Sequence, residues 1–122
     1  MDASVVALRT CVAAPGALRW GAVALQHLAA DGENRRRAVE AGAFTALAQA
    51  MKAHPTNPGL ADYCSRAVQV LIGSHADKQL AESCGVGDAL RGALAQFPGH
   101  SGVQSRCHSA LQAMSFQIAG GR

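Results

Sequence analysis

Two kinds of side chain in this sequence have the chemistry and the placement to hold another molecule: primary amides and guanidiniums. Gln26, Gln69 and Gln112 stand 43 residues apart. Each amide offers donors and an acceptor, so a column of three could hydrogen-bond an extended backbone. The same spacing also suits polar residues at half-exposed sites between repeated units, and the sequence leaves both readings open. Close to the amides stand Arg19, Arg66 and, nearer the rim, Arg106, with Asp62 among them. The fixed fork of arginine matches carboxylates, so an acidic or phosphorylated partner is expected. Pairing of Arg19 with Asp62 is expected to cancel part of that positive field. Trp20 and Tyr63, again 43 apart, are either a contact hot spot or packing between neighbouring helices.

Catalytic constellations are missing by comparison. The sequence holds no Gly-rich phosphate loop, no Gly-x-Ser-x-Gly, and no His or Glu pair at metal-ligand spacing. Cys107 and His108 are adjacent, so on a helix their side chains diverge by about 100° and form no nucleophile–base couple. His27, His54, His75, His100 and His108 are scattered along the chain. No catalysis, metal or cofactor is therefore expected.

The elements that must position these residues follow from composition and repetition. Of the 122 residues 49% are apolar but only 4% aromatic, so the core must be built from Ala, Leu and Val. A net charge of +3 falls well short of the dense basic field of a nucleic-acid binder. The run Arg35-Arg36-Arg37 is flanked by Glu33 and Glu40 and reads as a solvated helix face. No stretch reaches the roughly 20 apolar residues that span a bilayer, and the acidic opening Met1-Asp2 is unlike a signal peptide. Cys11, Cys64, Cys84 and Cys107 form no Cys-x-x-Cys pair, so they read as reduced thiols and the expected location is cytoplasmic.

Sliding the chain along itself by 43 positions aligns it without a gap. Ala24, Ala67 and Ala110 coincide, as do Gly16, Gly59 and Gly102, and Ala7, Ala50 and Ala93. Leu25, Val68 and Leu111 form a conservative triple, and Gly42 matches Gly85. Such a period belongs to helical solenoids. Punctuation divides one period into three helices, at residues 34–41, 44–53 and 60–72, the last preceded by a segment with two prolines. The later copies are expected at 77–84, 86–97 and 103–118, and the earlier ones at 4–12 and 17–30. The expected fold is a single all-α segment over 1–122: a partial repeat 1–30, a repeat 31–73 and a repeat 74–122.

The segment Ala22-Val23-Ala24-Leu25-Gln26-His27-Leu28-Ala29, with Asn34 and Glu40-Ala41-Gly42-Ala43 after it, resembles the armadillo repeat. So does Ala50-Met51-Lys52-Ala53-His54-Pro55. The resemblance covers essentially the whole chain, about two and three-quarter repeats. It implies a right-handed α-α superhelix whose third helices line a concave groove, and a non-catalytic scaffold that binds a protein or peptide there. It also places an obligatory small residue at Gly21, Cys64 and Cys107, where a larger side chain would cost about 1–3 kcal/mol. The family's groove tryptophan falls at Val23, Arg66 and Ser109, and its groove asparagine at His27, Val70 and Ala113. None matches, so an importin-like mode of holding basic peptides is not expected. Gln26, Gln69 and Gln112, one position earlier, are the candidates to replace the asparagines. The alternative is a purely structural or self-associating segment of a longer solenoid. The chain opens in mid-repeat and closes without a polar cap, so an excised fragment, or association through exposed repeat ends, is expected.

Overall fold

A computed structural model describes residues 15–114, and all regular structure among them is helical. The helices are α1 Pro15–Leu28, α2 Gly32–Glu40, α3 Ala43–Ala53, α4 Pro58–Leu71, α5 His75–Ser83, α6 Val86–Gln96 and α7 Ser101–Met114. Lengths of 9, 11 and 14 residues recur in that order for α2–α4 and again for α5–α7. The helix expected over 4–12 lies outside the described residues.

Local chemistry fixes the boundaries. The Asp31 side chain accepts from Glu33 N–H at 2.9 Å and starts α2. The Asn57 side chain accepts from Leu60 N–H at 3.0 Å and starts α4. At α5 two bonds tie down the start: Ser74 Oγ accepts from Asp77 N–H at 3.2 Å, and Asp77 Oδ2 accepts from Gly73 N–H, just before the cap, at 2.9 Å. Gly42 at φ 98° and Gly85 at φ 86° turn α2 into α3 and α5 into α6. A side chain at that left-handed conformation costs about 1–2 kcal/mol, which is why glycine stands in both copies.

The long helices begin two residues earlier than the punctuation suggests, at Pro15, Pro58 and Ser101 rather than at 17, 60 and 103. Proline breaks a helix interior, but its missing N–H costs nothing in the first turn, where that group has no partner in any case. The prolines are starts, not stops. α5 likewise begins at His75 rather than Asp77, because Ser74 supplies the cap.

α4 is the centre of the molecule. It packs against α1 on one side and α7 on the other, so the three 14-residue helices stand in a row. α3 packs against α4 and α6, and α6 against α7, which makes a second row behind the first. The core between the rows consists of small and branched side chains, among them Leu18, Leu25, Leu47, Leu60, Val68, Leu71, Leu90 and Val103, with Phe44 as its one fully buried ring among the described residues. Gly21, Cys64 and Cys107 are all buried, as are Ala67 and Ala110. Where one copy buries Phe44, the next has Gly87, and the space a Cβ would need there is taken by Glu82 and Arg91.

Candidate docking face

α4 divides sharply into two sides. Leu60, Ala61, Cys64, Ser65, Ala67, Val68 and Leu71 are buried. Asp62, Tyr63, Arg66 and Gln69 are half-buried and Val70 is exposed. The spacing of 62, 66, 69 and 70 follows the helical repeat, so these residues share one stripe. On α1 the corresponding stripe carries Arg19 and His27, both exposed, and Val23 and Gln26, both half-buried. On α7 it carries Ser109, half-buried, and Gln112, exposed, with half-buried Arg106 beside it at the position of Tyr63. The structure thus brings every expected contact residue onto the row of long helices.

Their chemistry is not uniform along that row. Gln26 Nε2 donates to the Tyr63 backbone carbonyl at 3.5 Å, at the long limit of a hydrogen bond. Its amide links α1 to α4 instead of facing outward as an open clamp. Gln69 keeps a half-buried position and Gln112 an exposed one, so the three amides occupy three different environments.

The charged residues form a more continuous group. The Arg19 guanidinium lies 5.8 Å from the centre of the Tyr63 ring, and that of Arg66 lies 5.9 Å from it. Both are within the range at which a cation is held by an aromatic quadrupole. Arg66 Nε donates to Asp62 Oδ1 at 3.2 Å, and Arg106 Nε forms an ion pair with the same oxygen at 3.3 Å. The expected Arg19–Asp62 pair is replaced: Asp62 is shared by Arg66 and Arg106, while Arg19 rests on Tyr63. The reason is reach, since Arg66 is one helical turn from Asp62 on its own helix and Arg106 comes from the neighbouring one. Trp20 and Tyr63 also part company. Tyr63 is covered by two arginines, whereas Trp20 is 56% exposed.

Beneath the face lies a polar contact that the sequence did not signal. Ser65 Oγ donates to Ala61 O at 2.6 Å and lies 3.2 Å from Cys107 Sγ. The serine has one proton and gives it to Ala61, so the thiol must be the donor in the second contact. Burial pushes the Cys64 thiol up to about 12, with the neighbouring Cys107 adding to the effect. Burial also raises the Cys107 thiol, opposed by its contact with Ser65 and helped by the charge of Asp62. Neither thiol is an available nucleophile at neutral pH, because the thiolate is the reactive form. Cys84 is half-buried, and all three are free of disulfides.

On the other side of the molecule a cleft of about 230 Å³ opens between α3 and α6, lined by Met51, His54, Ala61, Ala89, Ala93 and Phe97 among others. Its one visible sequence signal is the small side chains at 61, 89 and 93, which leave room where helices meet. No helix among the described residues is long and apolar enough to cross a membrane. Likewise, no group of three or more His, Cys, Asp or Glu among them could hold a metal ion. Arg37 pairs with Glu33 at 3.0 Å on the exposed side of α2, in keeping with a solvated face. No protein-family model matches the chain, and neither does any curated protein or solved structure it was compared with.

Proposed function

We propose that this chain is a non-catalytic protein-interaction segment of armadillo type, a right-handed superhelix that binds a protein or peptide along the concave face of its long helices. One observation carries this reading. Three 14-residue helices spaced by 43 residues stand side by side and turn polar and charged residues to the same face. A peptide laid across such a row meets polar side chains on each of the three helices. The reading includes no catalysis, cofactor, nucleic acid or membrane, and a cytoplasmic setting.

The test is a pull-down that compares the wild type with the double variant Arg66→Glu, Gln69→Ala. Both changes lie on the half-buried stripe of α4 and leave its buried side intact. A partner retained by the wild type and lost by a variant with unchanged helical circular dichroism supports the reading. The same partners on both would sink it.

A second reading has its own support. Gln26 is spent on an internal bond, and Trp20, Val70 and Leu80 are exposed apolar side chains at 56%, 39% and 40%. A structural segment that associates with copies of itself fits those features, and sedimentation across a concentration range distinguishes it.

A further inference from the structure

Resting on the reading of the long-helix row as a docking face, we propose that its partner is an acidic peptide, held through carboxylates at a site built on Arg19, Tyr63, Arg66 and Arg106. Two guanidiniums, those of Arg66 and Arg106, share the Asp62 carboxylate, and a third, that of Arg19, rests on the Tyr63 ring beside them. The row therefore carries a net charge of +2, out of +3 for the whole chain. Most of the molecule's excess charge is concentrated on this one face.

The arginines are also held in place. Arg66 and Arg106 each face Asp62 through Nε, which leaves their terminal Nη groups for a second acceptor. Arg19 and Arg66 are steadied by the Tyr63 ring. A guanidinium already fixed loses less conformational freedom when a carboxylate arrives. The side chains of Arg66 and Arg106 remain 38% and 43% exposed, so an incoming acid can reach them. Nucleic acid fits less well. Its affinity comes from neutralising many phosphates and stacking bases on open rings, and Tyr63 is half-buried with two arginines already against it.

Asp62 gives the proposal a diagnostic. It orients two arginines but competes with any incoming carboxylate, so removing its charge should tighten binding of an acidic ligand. A neutral or basic partner would respond in the opposite direction or not at all.

The experiment is fluorescence anisotropy at low salt with labelled octaglutamate, octaglutamine and octathymidylate. Octaglutamate should bind at least tenfold more tightly than either other probe. Arg66→Gln should weaken octaglutamate about tenfold and Arg19→Gln somewhat less. Asp62→Asn should tighten it about threefold, and Arg36→Gln, on the exposed side of α2, should leave it unchanged. Equal loss in Arg36→Gln and Arg66→Gln overturns the proposal, as nonspecific attraction. So does weakening by Asp62→Asn, tighter binding of octathymidylate, or no binding of octaglutamate. If octaglutamate fails while the pull-down partner is still lost from the double variant, the face docks a partner that is not acidic. If that partner also survives the double variant, the docking-face reading itself falls.

Discussion

The two sides of the long helices obey different rules. On the buried side several positions recur along the three helices: Gly21, Cys64 and Cys107 are buried in all three, and Ala24, Ala67 and Ala110, like Leu25, Val68 and Leu111, are each buried in two and half-buried in the third. On the outward side the same positions diverge. Arg19, Asp62 and Ser105 are equivalent, as are Trp20, Tyr63 and Arg106, and Val23, Arg66 and Ser109. Packing density explains the difference. A helix pair meeting through small side chains has no spare volume, so each junction demands the same residues. A face toward solvent places no such demand, and what stands there is available for recognition. The glutamines bridge the two regimes: identical in sequence, they sit at the boundary and differ in environment from helix to helix.

The largest effects should come from breaking the buried side. Leu90→Ala removes a fully buried side chain and should cost about 2–5 kcal/mol in urea denaturation. Val70→Ala, on the exposed stripe, should change stability by no more than about 0.5 kcal/mol. Overfilling the junction is the next test. Ala67→Leu should cost about 1–3 kcal/mol, while Gln69→Leu two residues away should be close to neutral. If the two cost the same, the division of α4 into two sides is wrong.

The buried thiol adds a pH dependence. Cys64 is raised from an unfolded value of 9.0 to about 12, so the folded state keeps its proton where the unfolded chain has lost it. The resulting stabilisation of the protonated thiol is fully present below pH 9 and is lost as pH rises toward 12. Denaturation midpoints should therefore fall more steeply between pH 9 and 11 for the wild type than for Cys64→Ala. A thiol reagent at pH 8 should modify Cys84 well before Cys64 or Cys107, whose modification should follow global unfolding.

Smaller effects sharpen the boundary. Ser65→Ala leaves the Cys107 thiol without its acceptor and should cost about 1 kcal/mol. Arg106→Gln breaks a half-exposed ion pair and should cost about 0–1 kcal/mol in stability, yet it should weaken octaglutamate several-fold. A stability loss for Arg106→Gln as large as that for Leu90→Ala would make the outward stripe structural instead.

The helical architecture was legible in the sequence, and most of its boundaries to within two residues, because capping residues and glycines at helix ends act locally. Gly42 and Gly85 turn the chain where their spacing says they should. The starts of α1 and α4 were misplaced for an equally local reason: proline at the first helical position looks like a break until its unused N–H is considered. The buried stripes of α4 and α7 also follow from periodicity alone.

The partners within the outward face were decided by the tertiary structure. Arg19, Asp62 and Arg106 are 43 and 44 residues apart in sequence, and which of them meet depends on how α1 and α7 sit against α4. Arginine reaches several ångströms from its backbone and chooses among neighbours by geometry, so sequence spacing could suggest Arg19 for Asp62 but only packing put Arg106 there. The same holds for Ser65 and Cys107, and for Gln26 with the Tyr63 carbonyl. Local backbone preferences and hydrophobic period set what each helix is. Contacts between helices, where side chains from distant residues compete for one atom, set what each face can hold.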